Sequence, residues 1–346
     1  MTITDVARHV GYSPTAISFV LNKHPMAERI ADATKQRILA AVEELGYVPN
    51  TYARLLRQSD VSKIVIICTD ISDPFCAQVV QGIMLRLNKT NAFYQLADIQ
   101  NSVTALESTL LTLSSNQVDG AIAILNTISC DWGRLVSLLN ENTMFVSIGR
   151  IVPGTDFPSV TMDNGEGVRL ALDHLYSLGH REIACIFGPP EIEDAVIRRA
   201  RTLENFERLG LACPNRLTDD VTDVPVTSDT GVRAIQRILA CGLPFTAVLT
   251  FDDYSAYGVI QELVRQGYRV PEDISVVGFD DIFLSRAYNP ALTTIRHPMT
   301  EIGTAGAELL LESLARRKKG VLDSTPASLV LKPELVVRES TARPHK

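Results

Sequence analysis

The chain of 346 residues predicts an α/β protein: a small N-terminal helix-turn-helix module, then two lobes built from parallel sheets covered by helices. Three observations predict this. Two short helix signals joined by a glycine turn fill the first 22 residues. Beyond residue 60, apolar strand-like runs alternate with helical stretches, the pattern of sheets buried on both faces. These units fall into two series of similar length, which suggests two lobes with a ligand cleft at the carboxyl ends of the strands.

The first helix starts at Thr2, where Thr2 and Asp5 have capping-box spacing. Ile3, Val6, Ala7 and Val10 share one face, and Gly11 stops the helix in the left-handed region. Ser13 and Pro14 suit the N-cap and first position of the second helix. Ala16, Ile17, Val20 and Leu21 face inward, leaving Thr15, Ser18, Phe19 and Asn22 on the other side. A third amphipathic helix covers 32–45 and ends at Gly46. Ala31 occupies its N-cap position, so Asp32 is expected to cap it instead. Residues 51–58 read as a fourth helix of about two turns, which is marginal alone in water.

Lys plus Arg is 33 and Asp plus Glu is 40, a net charge of −7, which excludes a uniformly basic nucleic-acid coat. Residues 1–58 nevertheless carry seven Lys and Arg against five Asp and Glu, a mild segregation of charge. Apolar runs such as 64–68 and 121–125 are far below the ~20 residues of a membrane span. No secretion signal is readable, so a cytoplasmic location is expected. The six cysteines form no C-x-x-C pair and read as reduced thiols.

The phrases TITDVARHVGYSPTAISFVLNKH and EELGYVPNTYARLL resemble the N-terminal domain of the LacI (lactose-repressor) family of bacterial transcription regulators. The resemblance implies a DNA-binding headpiece at 1–48, a hinge helix or linker at 49–60 and an effector-binding, dimerising domain at 61–346. It places Thr15, Ala16 and Phe19 at base edges and Ser13, Ser18 and Asn22 near phosphates. Ala53 and Leu56 match the hinge face that enters the minor groove, where a leucine wedge kinks DNA, and Tyr52 joins the DNA-contacting residues. Two departures bear on base reading. Relatives often carry Thr at position 16 and a polar or basic residue at 19. Ala16 and Phe19 can make apolar contacts but no bidentate hydrogen bond, which predicts an unusual operator preference. The stretch 23–29 is also longer than is common.

Downstream, strands are expected at 63–68, 93–97, 121–125 and 144–148, with helices at 74–87, 105–116 and 132–140. The second series has helices at 167–178, 195–209, 231–240 and 256–266 and strands at 183–187, 247–250 and 274–279. A further helix spans 300–317, with Arg316 to Lys319 as its solvated C-terminal turn. The phrases ISDPFCAQVVQGI, MDNGEGVRLALDHLYSLGHREIA, RVPEDISVVGFDD and LKPELVVREST resemble the periplasmic-binding-protein-like (type I) domain of the same family. That resemblance implies three lobe crossings, near 160, 290 and 325.

Residues just after strand ends are expected to line the cleft: Asp73, Phe75, Arg150, Arg198, Asp252, Asp253 and Asp280. Carboxylates, an arginine fork and an aromatic platform suit a small hydroxylated ligand. The resemblance maps effector contacts onto Phe75, Arg198 and Asp280 in particular. Asp252 stands where Asn is common, and Val226 where many relatives carry a stacking aromatic. An amino- or cation-bearing ligand is therefore an alternative to a plain hexose. Helix N-capping is the plainer reading of Asp252 and Asp253.

The chain lacks G-x-x-x-x-G-K-[ST], G-x-G-x-x-G, H-E-x-x-H and G-x-S-x-G, so no enzyme class, cofactor or metal is expected. His174 and His180 bracket a helix end, which suits capping better than metal ligation. The expected partners are double-stranded operator DNA, a small-molecule effector and a second copy of the chain, with no membrane. A dimer is expected rather than a tetramer, since no leucine heptads trail the last domain.

Overall fold

A computed structural model describes residues 1–22, 24–47, 61–115, 118–139, 143–212, 218–221, 226–320 and 328–345. The chain divides into two compact units, Met1–Val61 and Ser62–Lys346. The hinge segment 49–60, with Tyr52, Ala53 and Leu56, lies outside the described residues, as does Cys213.

The first unit contains α1 (Ile3–Val10), α2 (Pro14–Leu21) and α3 (Asp32–Glu44), with a 3-10 helix at Pro25–Arg29. The capping box forms: the Thr2 hydroxyl accepts from the Asp5 amide and the Asp5 carboxylate accepts from the Thr2 amide. Gly11, at φ +75°, closes α1. The Ser13 hydroxyl caps α2 by accepting from the Ala16 amide at 3.2 Å. Val6, Ala7, Val10, Ile17, Val20, Ile38 and Ala41 form one buried core. Asp32 does not cap α3: its carboxylate accepts from Lys35 Nζ at 2.8 Å, and the helix has no side-chain cap. Asp32 already has helical backbone, one residue too late to cap it, and Lys35, one turn on, offers an ammonium instead. In the 3-10 turn, the His24 ring caps by accepting from the Met26 amide.

The second unit holds two six-stranded sheets. The first is ordered β11 (Leu329–Leu331), β5 (Ser159–Met162), β4 (Met144–Ile148), β3 (Gly120–Ile124), β1 (Lys63–Cys68), β2 (Phe93–Asp98), all parallel. The second is ordered β12 (Glu334–Val336), β10 (Thr293–Arg296), β9 (Ser275–Asp280), β8 (Ala247–Thr250), β6 (Ile183–Phe187), β7 (Thr218–Asp220), parallel except for the β12–β10 pair. The two-residue period of a strand, with both faces covered, explains why β1 is apolar from Ile64 to Cys68. Ile64, Ile66 and Cys68 share a core with α4 (Pro74–Leu87) and α11 (Met299–Lys318), while Val65 and Ile67 share another with α5 (Val103–Ser115) and α6 (Trp132–Ser137). The second sheet is covered by α7 (Asn164–Leu178), α8 (Glu193–Leu209), α9 (Ser228–Ala240) and α10 (Asp253–Arg265).

Glycines let helices meet at backbone distance in both lobes. A Cβ on Gly82 of α4 would stand 2.0 Å from the Thr300 carbonyl oxygen of α11, and one on Gly258 of α10 would stand 1.8 Å from that of Ser228 on α9. The chain leaves the first sheet after Met162, leaves the second after Arg296 and crosses again between Leu331 and Glu334. The last two crossings lie several residues beyond the expected 290 and 325. Short strands at 293–296 and 329–331, without a strand signal of their own, carry the chain further along each sheet before it turns.

Candidate DNA-reading helix and effector cleft

On α2, Thr15 is exposed, and Ala16, Ser18 and Phe19 are partly exposed, so their side chains stand outside the headpiece core. Phe19 stacks on His24, with ring centroids 4.6 Å apart and planes 18° from parallel. That contact was not visible in the sequence, because it depends on the 3-10 turn in the lengthened stretch after α2. Asn22 Nδ2 donates to the Ser18 carbonyl at 2.8 Å and its hydroxyl at 3.1 Å, which fixes the end of the helix. Ser13 caps the start while its hydroxyl proton stays available to a phosphate.

In the second unit, a cavity of about 370 Å³ opens between the carboxyl ends of the two sheets. Of the residues expected there, Asp73, Phe75, Arg198, Val226, Asp252, Asp253 and Asp280 line it. Arg150 does not. Its guanidinium lies over Trp132, 5.4 Å from the ring centre, and 3.2 Å from Glu193 Oε2. Gly149, at φ +78°, bends the chain just before it, so the rule of residues after strand ends fails there.

Arg198 is buried and fixed from three directions. Nε donates to Asn164 Oδ1 at 2.7 Å, Nη1 to the Phe251 carbonyl at 2.7 Å and Nη2 to Asp280 Oδ1 at 3.5 Å. Its carbon lies 3.7 Å from the centre of the Phe279 ring. Asp280 holds a left-handed backbone, φ +110°, and Asp281 follows at φ +56°. Non-glycine residues in that region cost energy and cluster at ligand sites.

Asp73 and Asp252 cap helices and face the cavity. Asp73 Oδ1 accepts from the Phe75 amide at 3.0 Å, starting α4, and Asp252 Oδ1 accepts from the Ser255 amide at 2.9 Å, starting α10. Burial pushes the Asp73, Asp252 and Asp280 carboxyls up to about 6, with the charge of Asp280 contributing to the rise at the other two. Asp253 is structural: its buried carboxylate accepts from the Ile282 amide, the Ser285 hydroxyl and the Thr294 hydroxyl.

The lining also includes Asp70, Asn101, Asn126, Asp194, Tyr254 and His297. Asn126 follows β3 and was reachable by the strand-end rule. His297 follows β10, a strand the sequence did not announce. It packs edge-on against Phe75 at 4.9 Å, and burial pushes its pKa down to about 3. The His174 and His180 side chains do not cap the helix: His174 Nε2 meets the Thr341 hydroxyl and His180 bonds Thr246 and the Ala342 carbonyl, tying the C-terminal strap to the second lobe.

A helix-turn-helix module and a two-lobed ligand cleft on one chain define a DNA-binding transcriptional regulator controlled by a small molecule. Residues 2–50 match the family of bacterial regulatory proteins, lacI family, and residues 172–341 match the periplasmic binding protein-like domain. The chain belongs to the lacI family. It is 31% identical to the HTH-type transcriptional repressor PurR of Aliivibrio fischeri (strain ATCC 700601 / ES114), over 99% of this chain and 98% of that protein. Among solved structures it is similar to the lac repressor dimer bound to operator and the anti-inducer ONPF, with TM-score 0.81, 25% identity and 99% of each chain covered. It is also similar to the transcriptional regulator CelR in complex with cellobiose, with TM-score 0.72 and 29% identity over 98% of this chain and 99% of that one.

Proposed function

We propose that the protein is a cytoplasmic, homodimeric repressor that reads a pseudo-palindromic operator and is controlled by a sugar or related metabolite in the inter-lobe cleft. It works by binding, without catalysis and without a cofactor. The observation that carries this reading is the pairing, in one chain, of a helix that presents Thr15, Ala16, Ser18 and Phe19 outside its core with a cavity of about 370 Å³. Two headpieces related by a two-fold axis suit two half-sites. Exposed Leu85, Leu96, Phe283 and Leu284 on the second unit give a second copy apolar surface to cover. Residues 1–48 read DNA, 49–60 form the hinge and 61–346 bind effector and dimerise.

In the DNA-reading role, Thr15, Ala16 and Phe19 meet bases, Ser13, Ser18 and Asn22 meet phosphates, and Tyr52, Ala53 and Leu56 act at the minor groove. In the cleft, Asp73, Phe75, Arg198, Val226, Asp252 and Asp280 hold the effector. Effector and DNA favour different lobe arrangements, so each alters the affinity of the other by the same factor. Selection of duplexes from a random pool by the full-length protein, with and without a metabolite extract, tests this. An enriched palindrome is expected. Enrichment of no sequence under either condition would overturn the reading.

A further inference from the structure

Several of the polar atoms that the cleft leaves to a ligand can act as acceptors. Arg198, the one arginine or lysine among the described lining residues, commits its nitrogens to Asn164, Phe251 and Asp280. Asp73 and Asp252 each give one oxygen to a helix amide and line the cavity with their carboxylates. Two further lining side chains, each more than nine-tenths buried, hold an atom without a partner: Asn126 Oδ1 and His297 Nδ1. His297 Nδ1 lies 3.7 Å from Asp280 Oδ1, beyond hydrogen-bond distance, and its burial keeps the ring neutral. A ligand that partners Asn126 Oδ1 and the cleft carboxylates brings donors to them.

Charge narrows the choice between hydroxyl and ammonium donors. Asp73 stands on the first lobe and Asp252 and Asp280 on the second; among the described residues Arg198 pairs with Asp280, and its charge reaches Asp252 more weakly. Burial makes all three carboxyls reluctant to ionise, and the charge of Asp280 adds repulsion at Asp73 and Asp252. A neutral polyol would leave that repulsion in place. An ammonium brings three donors and removes it. Among the described residues no group of three or more His, Cys, Asp or Glu side chains is arranged to hold a metal ion. Phe75 and Tyr254 offer ring faces nearby to an apolar ring or to the cation itself.

We propose that the effector is a small hydroxylated ring compound carrying a protonated amine, in the manner of an amino sugar, with its ammonium seated between Asp73 and Asp252. This rests on the reading of the cavity as the effector site. The test uses full-length protein at neutral pH and titrates matched pairs by calorimetry: D-glucosamine against D-glucose, D-galactosamine against D-galactose, and N-acetylglucosamine as an uncharged control. At least one amine is expected to bind on the order of tenfold more tightly than its neutral partner. Raising the salt from about 0.01 M to about 1 M should shrink that preference, because the Debye length falls to about 3 Å. Asp73→Asn combined with Asp252→Asn should abolish it.

Three outcomes would overturn the proposal: neutral partners binding as tightly as the amines, no amine binding at all, or a preference that survives the double substitution. Because the salt titration needs only the unaltered protein, a poorly folding variant leaves the test intact. If neutral sugars bind and change operator affinity, the effector site stands and the amine inference alone falls. If neither class binds and operator affinity never responds to a metabolite extract, the effector-site reading falls with it.

Discussion

Arg198 Nη2 and Asp280 Oδ1 lie 3.5 Å apart, the longest of the three polar contacts that hold the Arg198 guanidinium. The arginine is anchored chiefly by Asn164 and the Phe251 carbonyl, and Asp280 is the partner it holds least tightly. Asp280 thus keeps acceptor capacity for a ligand while its charge stays partly compensated. Arg198→Ala is expected to abolish the effector response while operator binding persists. Arg198→Lys should fall close to it, because one ammonium cannot reproduce a fork that points three ways. Operator titrations with and without effector check this; an unchanged effector affinity would reject the assignment.

Asp252 carries a stability cost with a defined sign. Its carboxyl is pushed up from 3.8 to about 6 by burial. Below pH ~4 it is neutral in both folded and unfolded chains, and no penalty arises. Between about 4 and 6 the unfolded chain ionises more readily, so stability falls as pH rises through that window. Above it the penalty is constant. Asn can accept the same Ser255 amide bond and cap α10 equally well. Asp252→Asn should therefore stabilise the protein by on the order of 1–3 kcal/mol at pH 7.5, with the gain fading near pH 4. Denaturant unfolding at the two pH values measures it.

Phe19 should leave a mark on the operator. It stands outside the headpiece core against His24, where it offers a ring and no hydrogen-bond donor. Phe19→Arg places a bidentate donor at that point, and duplex selection should then return guanine at the facing base pair. Recovery of the same operator by both proteins would show that residue 19 does not read bases.

Leu56→Ala should weaken operator binding and spare effector binding, as expected of a wedge at a kinked minor-groove step. Equal loss of both in parallel titrations would make Leu56 a folding residue instead.

Two glycine substitutions should have opposite signs. Gly258→Ala drives a methyl group to 1.8 Å from the Ser228 carbonyl oxygen, and backbone cannot yield cheaply, so a loss of about 2–4 kcal/mol is expected. Gly133→Ala, inside α6, meets only the Asp131 carboxylate at 3.4 Å and should be neutral or stabilising by up to about 1 kcal/mol. Thermal unfolding of the two variants side by side decides it.

The sequence disclosed what local chemistry determines. Caps at Thr2 and Ser13, the stop at Gly11 and the apolar strands at 63–68, 144–148, 183–187 and 247–250 all carry their signals in adjacent residues. The short strands Ser159–Met162, Thr293–Arg296, Leu329–Leu331 and Glu334–Val336 have three or four residues each and owe their conformation to the neighbours they pair with. Missing Thr293–Arg296 also hid His297. Arg150 was misplaced for a related reason: strand ends predict where a chain emerges, and a glycine turn with an available Glu193 decides where the side chain goes. The double duty of Asp252, capping a helix and lining the cleft, was legible as two competing readings, and the fold accommodates both.

The first sheet is not made from one stretch of chain. Its strands up to Met162 precede the second lobe, but α11, which packs on α4, and the edge strand β11 come after it. On the ribosome, the lobe whose strands emerge first consequently stays unfinished until α11 and β11 follow, and the second lobe in turn waits for its own edge strand β12. Until Met299–Lys318 has been synthesised, the apolar face of α4 around Val79, Gly82 and Ile83 has no helix to cover it. A nascent chain must carry that surface through translation of the second lobe's strands up to β10, exposed apolar surface of the kind that makes unfinished chains prone to aggregate.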